Sequence, residues 1–373
     1  MKSSPSDQRL IFLDVGRTIA ILLMLEGHFI SATLDISLFS TDHWAYVTWL
    51  KVRTITAPLF LMVSGIIFAY LLNRNLSIRD NPRIKKGLKR ALQLFAWGVL
   101  LHTSLLQVND YLNGTYGAWL FSFHILQCIA IGLLVMVLIY LLFKLLGGKL
   151  MWYYLIAATL IISLYPALTD LQGYYPKGAQ PFIQNAIKGP MSVFPLIPWL
   201  AFILYGAAIG AYLSTHPLVT KTIKFPLALI LTGLFLNFGL NHLLFAWDEI
   251  FLTNVLSVSH WFGKMGGVLM ILGGLILVLQ KVPINTASLW VRIGQQTLVM
   301  YLLHCVVLYG AIIGLGLDSL IGLALSPWQA VMGAVVFVGL FSWVGVWADR
   351  IREWISGRVL EITRGRLHYL GCA

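Results

Sequence analysis

The chain has 373 residues, of which 59% are hydrophobic and only 11% charged, with a formal net charge of +12 at pH 7. Soluble domains carry about 25% charged residues, so this composition excludes a soluble globular protein and predicts a polytopic membrane protein. The positive excess does not point to nucleic acid, because Lys and Arg collect on the cytoplasmic loops of membrane proteins.

The first apolar run, RLIFLDVGRTIAILLMLEGH from Arg9 to His28, carries Asp14, Arg17, Glu26 and His28. Ionisable groups inside a membrane helix are costly and are usually paired or functional. At about 100° per residue, Asp14, Arg17, Ile21, Met24 and His28 share one stripe, and Glu26 falls on roughly the opposite side from Arg17. Arg17 and His28 are about 16 Å apart along the axis. The stripe has a charged foot near one membrane face and an imidazole near the other, an arrangement suited to a long substrate whose reactive end reaches the histidine.

Asp14 and Arg17 are spaced to pair within the helix. A structural ion pair and an arginine that grips phosphate are the alternatives for this foot. His28 is a candidate general base, with an interfacial histidine as the plainer reading. Gly27 offers a looser turn at which Glu26 and His28 converge. The run has internal charges and no small-residue cleavage site, so it is not read as a removable signal.

Apolar runs near 10–32, 55–73, 88–106, 118–143, 150–168, 194–214, 225–246, 259–280, 290–315 and 327–348 predict about ten spans, each near the roughly 20 residues a bilayer requires. Ten spans leave both ends on one side. That side collects 20 of the 26 Lys and Arg, among them Arg74, Arg83 and Arg90, while the other holds Lys51, Arg53, Lys177, Lys188 and Lys264. This split predicts cytoplasmic termini, with His28 near the outer face. No soluble domain or long linker interrupts the chain, which reads as one domain over 1–373.

Trp44, Trp49, Trp119, Trp199, Trp247 and Trp261 lie near span ends, where an interfacial belt accounts for most of them. His43 sits in the first outer loop beside Asp42 and Trp44 and on its own reads as solvated. Lys51 and Arg53 lead into the second span, either as headgroup anchors or as binders of an anionic substrate. The stretch 169–193 holds Gly173, Pro176, Gly178, Pro181, Gly189 and Pro190 and predicts an irregular loop over an outward-facing mouth. Gly206 and Gly210 form a small-xxx-small packing pair.

Polar groups recur inside later apolar runs: His124 and Gln127 three apart, then Gln295, Gln296, Thr297, Tyr301 and His304. A polar cavity within the bundle and interhelical hydrogen bonds explain them about equally well. Cys128, Cys305 and Cys372 form no metal-like cluster and predict no disulfide framework. There is no Walker loop, HExxH, CxxC pair or GxSxG, and the nine histidines contain no convincing zinc-ligand spacing. No metal site is expected.

The motifs taken together resemble the transmembrane acyltransferase superfamily. Asp14, Arg17 and His28 are similar to its first-helix D-x-x-R-G start with a histidine eleven positions on. Pro58, Phe60 and Gly65 resemble its second-helix motif, and Gly294, Thr297, Leu298, Tyr301 and His304 a late G-x-x-S/T-L-x-x-Y-x-x-H helix. Leu126 with Gln127, and Pro198, Trp199, Gly206 and Gly210, resemble the heparan-α-glucosaminide N-acetyltransferase-like branch. Thr18 departs from the pattern, where the family has glycine. One branch places its key histidine at the outer end of the first helix, matching His28; the heparan-type branch places it in the next loop before a tryptophan, matching His43 and Trp44. Both readings stay open.

The resemblance implies an all-α bundle that transfers a short acyl group from cytoplasmic acyl-CoA, acetyl-CoA above all, to a hydroxyl or amine of an extracytoplasmic glycan. It implies catalytic roles for His28, Glu26 and His43, and donor binding by Asp14, Arg17, His124, Gln127, Tyr301 and His304. The expected setting is a bacterial cytoplasmic (inner) membrane. The expected partners are the acyl-CoA, a glycan or small-molecule acceptor, the bilayer and a second copy of the chain in a homodimer, without nucleic acid. A transporter of a lipid-linked or small polar substrate is the competing class, although inverted repeats and broken helices are not evident.

Overall fold

Backbone polar groups have no water to bond in a bilayer, so apolar segments of this length must close their hydrogen bonds internally as helices. The computed structural model describes residues 9–39, 42–74, 81–107, 112–113, 122–170, 180–187, 192–240, 242–243 and 255–370. It is all-helical among the described residues, apart from two isolated bridges, Leu34 with Leu325 and Ser104 with Ile312.

Seven helical segments are long and apolar enough to cross a membrane. They are α1 (Ile11–Thr33), the run Trp44–Asn73 formed by α2 (Trp44–Arg53) and α3 (Thr56–Asn73), α5 (Ile125–Leu146), α6 (Leu150–Asp170), α8 (Leu196–Thr215), α10 (Val255–Lys281) and the first part of α14 (Pro327–Leu370). A broken pair adds an eighth: α11 (Leu289–Gln295) and α12 (Thr297–Tyr309), bent by 69° at Gln296.

The described residues therefore hold seven or eight such spans, against ten predicted runs. The run at 88–106 lies in α4 (Pro82–Leu100), whose N-cap Asn81 accepts the Arg83 backbone N–H at 3.0 Å. Its first half is basic, so Arg83 to Arg90 ride on a helix rather than a loop. The run at 225–246 becomes α9 (Lys224–Leu234), continued by one π-turn at Phe235–Gly239. Within the predicted outer loop, α7 (Gln180–Ile187) is helical, while 171–179 and 188–191 lie outside the described residues.

Close approach holds α3 to α8. A Cβ on Gly65 would fall 2.0 Å from the Ile203 carbonyl oxygen, and one on Gly206 would fall 2.1 Å from that of Met62. Small residues are what let membrane helices pack backbone to backbone when no hydrophobic force joins them.

α1 is the axis of the bundle, in contact with α3, α10, α11, α12, the short α13 (Leu317–Ile321) and α14. Gly294 on α11 lies against it so closely that a Cβ would meet the Asp14 carbonyl oxygen at 2.2 Å. Thr18, fully buried, donates its hydroxyl to the Trp290 carbonyl of α11 as well as to that of Asp14. The residue that departs from the family pattern is thus a clasp between α1 and the broken span. With α11 fixed at the Arg17 end of α1, the bend at Gln296 carries α12 to its His28 end.

Candidate active site

His28, more than a turn before the end of α1, meets His304 of α12 with Nδ1 and Nε2 3.0 Å apart. His304 is fully buried. When His28 donates its Nδ1–H to His304 Nε2, the free lone pair of His28 lies on its own Nε2. That is the tautomer in which His28 Nε2 can act as a general base. Tyr309 closes the group, its ring 5.7 Å from that of His28.

His28 lines a cavity of about 370 Å³ together with Arg53, Phe60, Trp199, Lys264 and Tyr301. Phe60 and Tyr301 also line a narrower one of about 170 Å³, reached by Arg17 and Arg90. Arg17, Ile67 and Leu71 are shared in turn with a third cavity of about 400 Å³, which Arg9, Asp14, Arg74 and Arg83 border. The shared residues string the three along the α1 stripe, from an arginine-rich mouth to the histidine pair.

The charges at that mouth are not arranged as spacing alone predicts. Asp14 accepts from Arg9 Nε at 2.8 Å, the one ion pair among the described residues. Arg9 precedes the helix and folds back onto the carboxylate, so the ion-pair alternative for Arg17 gives way to the phosphate one. Arg17 Nε is buried without a hydrogen-bond partner. An orphaned guanidinium nitrogen in a cationic cavity fits a phosphate-bearing ligand, whose oxygens match its planar fork.

The other expected site residues are dispersed. Glu26 accepts from Trp49 Nε1 at 2.8 Å and so ties α1 to α2, away from the His28 cavity. Gly27 does not loosen α1, which runs unbroken through it. It makes room instead for Arg53, whose Nε lies 3.3 Å from where a Cβ would stand. His43 is exposed at the start of α2, and its side chain makes no capping bond. Gln127 Oε1 accepts the His124 backbone N–H at 3.2 Å and caps α5, and its amide fills the space left by Gly98. The His124 ring packs on His102 at 3.9 Å between centroids. Neither His124 nor Gln127 lines the three cavities. Tyr301 does, at the junction of two of them, and His304 stands at the histidine end rather than at the arginine mouth.

Sequence reasoning left Arg90, Lys264 and Trp199 out of the site. A signal existed for Arg90: Arg83 and Arg90, seven apart, share a helix face. Lys264 was counted only as an outer-side charge; it lies within α10 and lines the cavity.

The fold and site together define a polytopic, all-helical membrane protein with an internal histidine pair joined to a cationic mouth. The family description heparan-alpha-glucosaminide N-acetyltransferase, catalytic, matches residues 9–245, and the chain belongs to this family of membrane acetyltransferases. No curated protein sequence matches the chain. The matched stretch contains Arg17, His28, Arg53 and Arg90; Lys264, Tyr301 and His304 lie beyond it.

Proposed function

We propose that this protein moves an acetyl or other short acyl group from acyl-CoA, bound at the Arg17 end, to a hydroxyl or amine of a glycan that arrives at the His28 end. The observation that carries this reading is the His28–His304 pair at the head of cavities leading back to Arg17 and its neighbouring arginines. The family match supports the acetyl group. The 20-to-5 split of basic residues supports a cytoplasmic Arg17 end, an outward His28 end and both termini inside.

Arg17, Arg74, Arg83 and Arg90 hold the phosphates, with the pantetheine arm along α1 and the thioester beside His28. His28 Nε2 takes the proton of the acceptor hydroxyl or amine as that atom attacks the thioester carbon. The carbon–sulfur bond breaks, the thiolate leaves, and the proton on His28 passes to it. His304 orients His28 and shares the charge that develops. Burial of the pair keeps water from the thioester in the absence of acceptor.

The test is purification in detergent, followed by measurement of radiolabelled acetyl-CoA binding and of thioester cleavage with and without candidate sugars. Binding together with cleavage that needs His28 is the expected result. A folded protein that neither binds nor cleaves acetyl-CoA, but carries a sugar across vesicles, overturns the reading in favour of a transporter.

A further inference from the structure

A further cavity lies away from the α1 stripe. α9 packs along α10, where a Cβ on Gly233 would fall 2.6 Å from the Gly266 carbonyl oxygen and one on Gly273 2.6 Å from that of Pro226. α8 packs along α3 and α6. Although α8 and α9 are consecutive in the chain, they make little direct contact with each other among the described residues. A cavity of about 420 Å³ occupies the gap between them, walled also by α6 and α10. It shares no lining residue with the three cavities of the α1 stripe.

Its largely apolar lining runs from Met151, Tyr212 and Phe225 at one end to Thr159, Tyr205 and Leu236 at the other. At 1.5 Å per residue, these positions on α6, α8 and α9 lie about 10–16 Å apart along their helices. That is close to half of a hydrocarbon core about 30 Å thick, so the cavity is one leaflet deep. At the deep end the Thr159 and Tyr205 hydroxyls pair with each other at 3.1 Å. At the shallow end Tyr212 and Phe225 stack with their ring centres 6.0 Å apart.

The shallow end is also basic. Lys149 immediately precedes α6, Lys224 opens α9 and Lys221 lies in the turn before it, and all three are exposed. No Asp or Glu occurs in 141–169 or 205–247, and the one ion pair among the described residues joins Arg9 to Asp14 elsewhere. Lys221 borders, together with Arg9, a separate cavity at the Arg17 end of α1. The lysines therefore stand on the same membrane face as the arginine mouth.

An unfilled space of this size forfeits dispersion contacts along four helices. Basic pockets between membrane helices on one face suit anionic lipid headgroups. We propose that the cavity holds an acyl chain of an anionic glycerophospholipid from the adjoining leaflet, with its phosphate between Lys149 and Lys224. The chain supplies the packing that α8 and α9 do not give each other. A zwitterionic lipid offers the same chain but no net charge to the lysines. The site lies outside the transfer path and does not depend on the acyltransferase reading.

The experiment uses the full-length protein in detergent, washed free of lipid, with dioleoyl phosphatidylglycerol or dioleoyl phosphatidylcholine added back. Native mass spectrometry reads the bound fraction of each. A phosphatidylglycerol analogue with a photoactivatable group on its acyl chain, mapped by peptide mass spectrometry, reads the place. Phosphatidylglycerol is expected to bind about tenfold to thirtyfold more tightly than phosphatidylcholine, as two lysines beside an anionic headgroup imply. The photolabel should fall on lining residues of α6, α8, α9 or α10. Lys149→Gln combined with Lys224→Gln should abolish the preference, and the corresponding pair of Arg substitutions should keep it. Both lysines are exposed at helix ends, so these variants leave the fold intact. Ala228→Phe, which fills the cavity from α9, should lower the retention of both lipids. Equal binding of the two lipids, a preference that survives the double Gln variant, or a photolabel confined to other helices overturns the proposal.

Discussion

His28 and His304 are 276 positions apart in the chain, and their facing ring nitrogens are 3.0 Å apart. Only the broken span makes this possible. Its first half is clamped to the Arg17 end of α1 through Gly294 and Thr18, and its second half delivers a buried imidazole to the other end. If the two rings act as a unit, their removal is not additive. His28→Ala is expected to lower acetyl transfer by about a hundredfold to ten-thousandfold. His304→Ala should lower it substantially, and the double variant should be no slower than His28→Ala alone. Losses that multiply in the double variant would show that the rings act independently.

His43→Ala tests the other branch of the family. The side chain is exposed and makes no capping bond, so the substitution should change rate and stability by no more than about 0.5 kcal/mol, roughly a factor of two. An inactive, folded His43→Ala protein beside an active His28→Ala would move the chemistry to the loop.

The arginine mouth has its own measurement. Arg17→Ala is expected to weaken CoA binding by about tenfold to a hundredfold, the loss of one charge-assisted bond. Arg17→Lys should recover only part of it, since the ammonium lacks the planar fork. Calorimetry with desulfo-CoA reads both, and an unchanged Kd for Arg17→Ala excludes Arg17 from the donor site.

Packing between α3 and α8 leaves no room at Gly206. Gly206→Val should destabilise the protein by about 1–3 kcal/mol or more, the usual range for overpacking, and lower its melting temperature in detergent. Gly263→Ala on α10, where a Cβ meets nothing within 4 Å, should be neutral or mildly stabilising, in keeping with helix propensity. Equal melting temperatures for the two variants would contradict the α3–α8 contact.

Topology is open to reporters. One after Ala373 and one inserted at Asn81 should respond as cytoplasmic, and one near Gly178 as external. Finding positions 81 and 178 on the same side would refute the proposed orientation.

Much of this architecture was legible because a bilayer imposes a length on every apolar run. The α1 stripe followed from the helical turn alone, including the placing of Glu26 away from Arg17. Other features turned on competition that spacing cannot register. Asp14 and Arg17 are correctly spaced to pair, but Arg9 reaches the carboxylate from outside the helix. Lys264 falls inside the predicted run 259–280 and reads only as an outer-side charge, because a run of small and apolar neighbours does not say which face of α10 borders a cavity. The polar run at Gln295–Thr297 reads in the sequence as cavity lining or interhelical bonding with no broken helix evident, yet it is where the ninth apolar segment bends by 69°. The size of the bend, and the fact that it brings His304 to His28 rather than to the arginines, depends on how α11 and α12 pack against α1.

The broken span also sets a timetable. Membrane proteins are made and inserted from the N-terminus, so Arg17, His28 and Arg53 are in the bilayer long before α12 is synthesised. Until that late segment docks along α1, His28 lacks its His304 partner and the two inner cavities lack the Tyr301 wall they share. A nascent or truncated chain can therefore present the arginine mouth without the histidine pair. Under the proposed function, competence for transfer becomes a property of completed assembly, and unfinished molecules that bind the thioester do not cleave it.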